Sequence, residues 1–447
     1  MTRRPSHPPQ AAPDGAALAA LQQVALKSYQ AGQLPAALDA CRKILALQAA
    51  RPDVLGFAGM IALEQGEAAQ AAEFYRKAIK YRPQFVEAHY NLGNALMKLG
   101  RAEDAVKHYR YAAELKPDLV PAINNLGNAL HALGRFEDAA EAYRRVLRLA
   151  PDALEAQRNL GIALERAGRR TDAIEIYRMV VKRRPDWLVA YSNLANALLA
   201  EGNGRATVEV CDRWLKREPA AMEALALKGL GLFAAGDHNA ARQLLDMRLV
   251  HSFKIAAPAG YVSIAEFNAA LAEQVMAHPL LHVPPEEDPH YHHPALAITN
   301  GFFGPSDGPI AALEKVTRQA VADYFAALLR GQDHPFLKHL PKNWEFASWA
   351  TVLNFQGNLT PHIHLDGYVS GVYYAQLPEN MGNDEAGYLE LGRPPADFPL
   401  VQSTDLVPIK PEEGLMVLFP SYFYHRTIPF EADRQRISIA FDTMPRD

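Results

Sequence analysis

Between Thr360 and Pro378 the chain reads TPHIHLDGYVSGVYYAQLP, which sets His362, His364 and Asp366 at alternate positions ahead of an apolar, aromatic run. Imidazole and carboxylate are ordinary ligands of divalent transition metals, so the chemistry this spacing suggests is metal binding. In an extended segment alternate side chains share one face, and residues two apart sit about 6.6 Å apart along the strand, near enough to hold one ion. Residues four apart, at about 13 Å, are too distant unless the strand bends. The pair is therefore His362 with His364, or His364 with Asp366.

A further ligand must come from another strand. His425, in FPSYFYHRTIPF, closes an apolar run 61 residues after His364 and is the best placed. Eleven residues on, RISIAF supplies Arg436 and Ser438, again two apart and on one face. Two histidines and a carboxylate on one face of iron leave three positions open, the arrangement of non-haem Fe(II) oxygenases. An anionic cosubstrate chelating two of them needs a fixed cation at its far end. A guanidinium at Arg436 forms paired, charge-assisted bonds to a carboxylate, with the Ser438 hydroxyl as a second donor.

The elements that must position these residues are strands. From Trp344 onward the segments WEFASWATVLNF, GYVSGVYYAQLP, AGYLELG, EGLMVLFPSYFYHRTIPF and RISIAFDTMP are short, rich in β-branched and aromatic residues, and broken by Gly, Pro and Asn. Five to eight such strands, preceded by helices over about 264–277 and 309–329, predict a double-stranded β-helix, or jelly roll, with supporting helices. Between the helices lies a Pro- and Gly-rich loop whose His290, His292 and His293 read as exposed loop residues rather than ligands.

The first half has a different grammar. Gly32, Gly66, Gly100, Gly134, Gly168, Gly202 and Gly236 recur every 34 residues, and Pro83, Pro117, Pro151, Pro185 and Pro219 share the interval. Each unit reads as two helices, the glycine ending the first and the proline closing the pair. Tyr75, Tyr109, Tyr143 and Tyr177 fill one slot of the second helix, and Cys41 and Cys211 fall in the same slot, which makes them packing residues. Asn91, Asn125, Asn159 and Asn193 repeat on the first helix, a row of amides able to grip an extended peptide backbone through donor and acceptor alike.

Composition narrows the partners. The 447 residues carry 46 basic and 50 acidic side chains, a net charge of −4, which gives no global case for nucleic acid or an anionic membrane. The opening MTRRPSHPPQAAPDG holds no apolar run of signal or membrane-span length, so a cytoplasmic location is expected. Two cysteines cannot make a disulfide framework.

The 34-residue pattern resembles the tetratricopeptide repeat, about seven copies over 16–250 after a lead of 1–15, and its asparagine row is similar to that of O-GlcNAc transferase, where such a ladder holds substrate peptides. Residues 251–447, with a jelly-roll core over about 340–447, resemble an Fe(II)/2-oxoglutarate-dependent oxygenase. More narrowly they are similar to bacterial oxygenase-like proteins with H-x-H, SGVYY, FPS, a distal His and R-x-S in that order. The resemblance implies a multi-domain chain, an all-α superhelix followed by a jelly roll. It implies Fe(II) held by His364, Asp366 and His425, with 2-oxoglutarate on Arg436 and Ser438. Tyr373 or Tyr374 adds a hydroxyl, only one of them facing the pocket; Asn354 and Phe355 line it, and His362 stands behind a ligand. Molecular oxygen and a protein or peptide drawn in by the repeats complete the expected set, the products being succinate, carbon dioxide and an oxidised substrate. The alternatives are a repeat scaffold carrying an inert jelly roll, a cupin-like site of His362, His364 and His425, and an oxygenase acting on a small molecule.

Overall fold

A computed structural model describes residues 15–283, 291–292, 295–298, 301–304, 307–328, 334–353, 356–382, 384–396, 398 and 406–446. Its contacts divide the chain into two units, Met1–Lys182 and Arg183–Asp447.

In the first unit, helices from Gly15–Gln30 to Arg170–Arg183 follow one another in pairs. Each pair turns at a glycine with positive φ, for example 70° at Gly100 and 73° at Gly134, a conformation that costs any other residue strain. The small residue inside each first helix answers to the tyrosine slot. A Cβ on Gly127 would lie 2.6 Å from the Tyr143 ring, so glycine is what lets the fully buried ring lie against the helix. Cys41 is buried, and burial pushes its thiol up to about 11, in keeping with a packing role.

One polar contact in this unit carries a pH prediction. His89 donates from Nε2 to the Pro83 carbonyl (2.9 Å), so its Nδ1 accepts from His108 Nδ1 at 3.0 Å. Burial, then the neighbouring His89 and Arg76, hold His108 down at about 4. The folded state therefore prefers the neutral ring, and stability present above the ordinary histidine range falls as pH drops from about 6.5 toward 4. After allowance for solvent screening we expect a loss of about 1 kcal/mol, read as a shift in urea midpoint that His108→Gln abolishes.

The second unit begins with four more helices, Leu188–Ala200, Gly204–Leu215, Met222–Ala234 and His238–Leu244. Eleven strands follow among the described residues: β1 (His251–Lys254), β2 (Tyr291–His292), β3 (Ala295–Ile298), β4 (Asn343–Leu353), β5 (Gln356–His362), β6 (Val369–Gln376), β7 (Leu389–Leu391), β8 (Val407–Ile409), β9 (Leu415–Pro420), β10 (His425–Glu431) and β11 (Arg436–Arg446). They form two antiparallel sheets, ordered β1-β9-β6-β11-β4-β3 and β2-β5-β10-β7-β8. This is the expected jelly roll, with β1, β2 and β3 drawn in from before residue 300 to extend its sheets. Helices Ile264–Met276 and Pro309–Leu328 share its core through Phe267, Leu271, Leu313 and Val321.

That core does not stop at residue 250. Met222, Leu225, Ala226, Leu244 and Leu249 are buried in the same cluster as Val352, Tyr373, Ile439 and Phe441. Polar contacts repeat the point: the Tyr422 hydroxyl donates to the Leu244 carbonyl (2.6 Å), His334 Nε2 donates to the same oxygen (3.0 Å), and the Tyr324 hydroxyl donates to the Leu249 carbonyl (2.7 Å). Among the described residues no helix is long and apolar enough to cross a membrane.

Candidate metal centre and cosubstrate site

Strand β5 ends on His362 and β10 begins on His425, and the two residues are paired across the sheet. His364 follows two residues on, its backbone N–H donating to the Ser421 carbonyl (3.2 Å). The three rings converge, with centroids 4.3 Å (His362–His425), 5.2 Å (His362–His364) and 4.9 Å (His364–His425) apart, and one ligand atom from each lies within 4.8 Å of the others.

Every one of the three has its Nδ1 committed to an oxygen: His362 to the Thr360 carbonyl (2.7 Å), His364 to the Asp442 carboxylate (2.7 Å) and His425 to the Phe423 carbonyl (3.0 Å). Carbonyl and carboxylate oxygens only accept, so each Nδ1 carries a proton and Nε2 is the nitrogen a metal would meet. That is the tautomer a metal takes, fixed in advance by outer partners. Burial, reinforced by His362 and His364, drives His425 well below the usual histidine range and keeps it neutral at pH 7.

Asp366 is not in this group. The strand ends at His362 and the chain bends at Leu365 and Asp366, so the alternation that carries His362 and His364 inward does not reach position 366, whose side chain is exposed. The structure thus brings together the pair His362 and His364 with His425, and leaves the carboxylate of the motif outside.

Arg436 opens β11 and is 2% exposed, its guanidinium between the two sheets, 5.2 Å from the ring of Tyr374 on β6 and 5.7 Å from that of Phe430 on β10. Its Nε and Nη1 have no hydrogen-bond partner, and neither has the buried Tyr374 hydroxyl. Burial lowers the Arg436 pKa and raises that of Tyr374. Two buried carboxylates show what compensation looks like: Glu390 has Arg426 (2.7 Å) and Arg393, and Asp246 has Arg248 (2.7 Å). An orphaned, buried, planar cation fits the far carboxylate of a dicarboxylate. Ser438, also buried, lies on the same face of β11.

Tyrosine orientation is resolved. Tyr374 pairs with Ser438 and faces Arg436, whereas Tyr373 pairs with Ile439 and sends its hydroxyl to Asn268 Oδ1 (2.5 Å) on helix Ile264–Met276. Tyr373 is therefore turned into the core shared with that helix, away from the Arg436 side of the strand, as alternation requires. Asn354, Phe355, His290, His293 and the His292 side chain lie outside the described residues. Asp442 is the residue that sequence reasoning missed. It sits six places after Arg436 on the same face of β11, and extending the alternation past Ser438 would have found it.

In the repeats, Asn125 Nδ2 donates to Asn94 Oδ1 (3.0 Å) and Asn159 Nδ2 to Asn128 Oδ1 (3.4 Å), while Asn94 Nδ2 donates to Asn91 Oδ1 (3.4 Å). Tyr109 and Tyr143 hydroxyls donate to Asn94 and Asn128 (2.7 Å each). Asn125 and Asn159 are thus tied to the preceding repeat, each spending part of its amide's capacity on spacing. Asn193 Nδ2 is buried without a partner.

Residues 347–442 match the family described as "Putative 2OG-Fe(II) oxygenase". Residues 124–186 match a tetratricopeptide-repeat family, and residues 59–100 and 93–134 match a second family of TPR repeats. No curated protein matches the chain. Among solved structures, the crystal structure of MamA is 22% identical over 38% of this chain and 94% of its own, with a TM-score of 0.38. MamA from Desulfovibrio magneticus RS-1 is 20% identical (39% and 98%, TM-score 0.37), and a tetratricopeptide repeat protein from Parabacteroides merdae is 16% identical (52% and 91%, TM-score 0.40). The chain is a fusion of tetratricopeptide repeats with a C-terminal domain of the 2OG-Fe(II) oxygenase kind.

Proposed function

We propose that this protein is an Fe(II)- and 2-oxoglutarate-dependent dioxygenase that oxidises a protein or peptide recruited by its repeats, with the metal held by His362, His364 and His425. One observation carries the reading: three imidazoles preset to offer Nε2 to a common point share the inside of one jelly roll with a buried arginine whose nitrogens await an anion. The residues fit both groups. Iron would supply oxygen activation, coupling decarboxylation of 2-oxoglutarate to succinate and carbon dioxide with insertion of one oxygen atom into a substrate C–H bond.

The chain's own side chains do the positioning. The three rings offer nitrogen ligands, Arg436 and Ser438 hold the distal carboxylate, and the Tyr374 ring keeps the guanidinium in place. Phe419 packs edge-on against His425 and Trp349 against His364, which limits ring rotation and water access on that side.

The ligand set has a direct test in the visible charge-transfer band of anaerobic Fe(II) with 2-oxoglutarate. His362→Ala, His364→Ala and His425→Ala are each expected to lose the band, and Asp366→Ala to keep it at full intensity. Loss of the band in Asp366→Ala with retention in His362→Ala would sink the three-histidine assignment. For recruitment, the first unit's amide row offers donors and acceptors at fixed spacing, which suits an extended backbone. Full-length protein is expected to retain polypeptides that the Asn125→Ala/Asn159→Ala variant releases; identical retention would remove the peptide from the account and leave small-molecule oxidation as the reading of the site.

A further inference from the structure

We infer that Asp442 is the positioning residue of the metal site, a carboxylate acting on the metal through the His364 ring in place of one bound to it directly. The inference rests on the three-histidine reading above and deepens it. Four charged side chains other than histidine are buried among the described residues: Asp246, Glu390, Arg436 and Asp442. The first two are paired with arginines. Among the described residues neither Arg436 nor Asp442 pairs with an oppositely charged Asp, Glu, Lys or Arg side chain, and both lie on the inner face of β11.

A buried carboxylate without a cation is costly, because the charge has left water and gained no countercharge. What surrounds Asp442 is a set of oriented hydrogen-bond donors. Its Oδ1 accepts from His364 Nδ1 (2.7 Å) and from the Ser370 hydroxyl (2.7 Å), which lies 2.9 Å from the hydroxyl of Ser421. Both serines are fully buried. The closeness of this cluster is built into the backbone: a Cβ on Gly367 would lie 2.9 Å from Asp442 Cβ and 3.0 Å from Ser421 Oγ. The missing countercharge is supplied by a divalent ion on the far side of the ring. Carboxylate–imidazole–metal arrays raise the donor strength of the ring and fix its orientation. The Nδ1 of His364 bonds to a carboxylate, whereas the Nδ1 atoms of His362 and His425 bond to carbonyls.

The test uses Co(II) alone, titrated into the full-length protein and followed by its d–d absorption, with the melting temperature of the metal-free protein measured alongside. Asp442→Asn keeps the shape and an accepting oxygen but removes the charge. It is expected to weaken Co(II) binding about 10-fold, and Asp442→Ala by up to about 100-fold. The metal-free melting temperature of Asp442→Asn should hold or rise. The Fe(II)–2-oxoglutarate band should move to higher energy, since the metal loses electron density. Co(II) affinity within twofold of wild type in Asp442→Asn, together with a lowered melting temperature, would show a merely structural residue and overturn the inference. His364→Ala separates the two levels: if it loses Co(II) while Asp442→Asn does not, only the role of Asp442 falls. Wild-type affinity in His364→Ala would bring down the three-histidine reading and this one with it.

Discussion

Arg436→Leu is expected to abolish saturable binding of 2-oxoglutarate while leaving the metal-free protein as stable as wild type or more so. The two halves have one cause. Arg436 is buried with two nitrogens unsatisfied, and among the described residues what lies against its charge is Tyr374 and the ring of Phe430 rather than a carboxylate. Cation–aromatic contacts return about 2 kcal/mol when desolvated, which is less than several kcal/mol of desolvation. Replacing such a charge by a hydrophobic residue of similar volume is commonly neutral or stabilising by about 1–4 kcal/mol. We therefore expect a melting temperature unchanged or a few degrees higher. Loss of a charge-assisted pair to the distal carboxylate should raise the cosubstrate concentration for half-maximal charge-transfer absorption by at least about 100-fold. A melting temperature several degrees lower would mean that the cation supports the fold, and unchanged titration would remove it from the cosubstrate site.

Truncation before residue 251 is expected to leave no folded oxygenase, whereas truncation before residue 183 should leave one that melts cooperatively and binds metal. Cutting at 250 strips Met222, Leu225, Leu244 and Leu249 from the core and leaves Tyr422, Tyr324 and His334 without their acceptors. At about 1.5–3 kcal/mol for each large apolar side chain and about 1 kcal/mol for each hydrogen bond, the loss is roughly 10 kcal/mol. That is comparable with the whole stability of a domain. The cut at 182 follows the division between the two units. Co(II) titration and thermal melting of both truncations decide the matter; a folded, metal-binding 251–447 fragment would refute the shared core.

Both results bear on how much was readable in the sequence. The repeats were, because positive-φ glycines and the close approach of Gly127 to Tyr143 admit few other residues and so recur at fixed intervals. Arg436 and Ser438 were readable as neighbours on one face, because strand alternation is local. The choice between His362 and Asp366 beside His364 was not, because β5 ends at His362 and the bend that follows sets Asp366 apart from the three rings. Asp442 lies on the face that continued alternation past Ser438 marks, but its contact with His364, 78 residues away in the chain, appears only once β11 lies beside β6. The continuation of the core past residue 250 was hidden for a related reason. Repeat periodicity marks which residues are apolar, not what covers the last of them.

That last repeat sets a constraint on folding. The Leu244 carbonyl takes its bond from Tyr422, 178 residues later, and Met222, Leu225 and Ala226 of helix Met222–Ala234 are buried in one cluster with residues of the later strands. Helices of the first unit make their contacts with neighbours a few tens of residues away and can form as they are made. The last repeats must instead wait, with apolar surface uncovered, until β9 and β10 have been synthesised. Contacts of such sequence separation form slowly, and their absence leaves an aggregation-prone intermediate. A refolding experiment should therefore show two phases: a fast gain of helical signal, and a slow one in which the burial of Tyr422 and the metal site appear together.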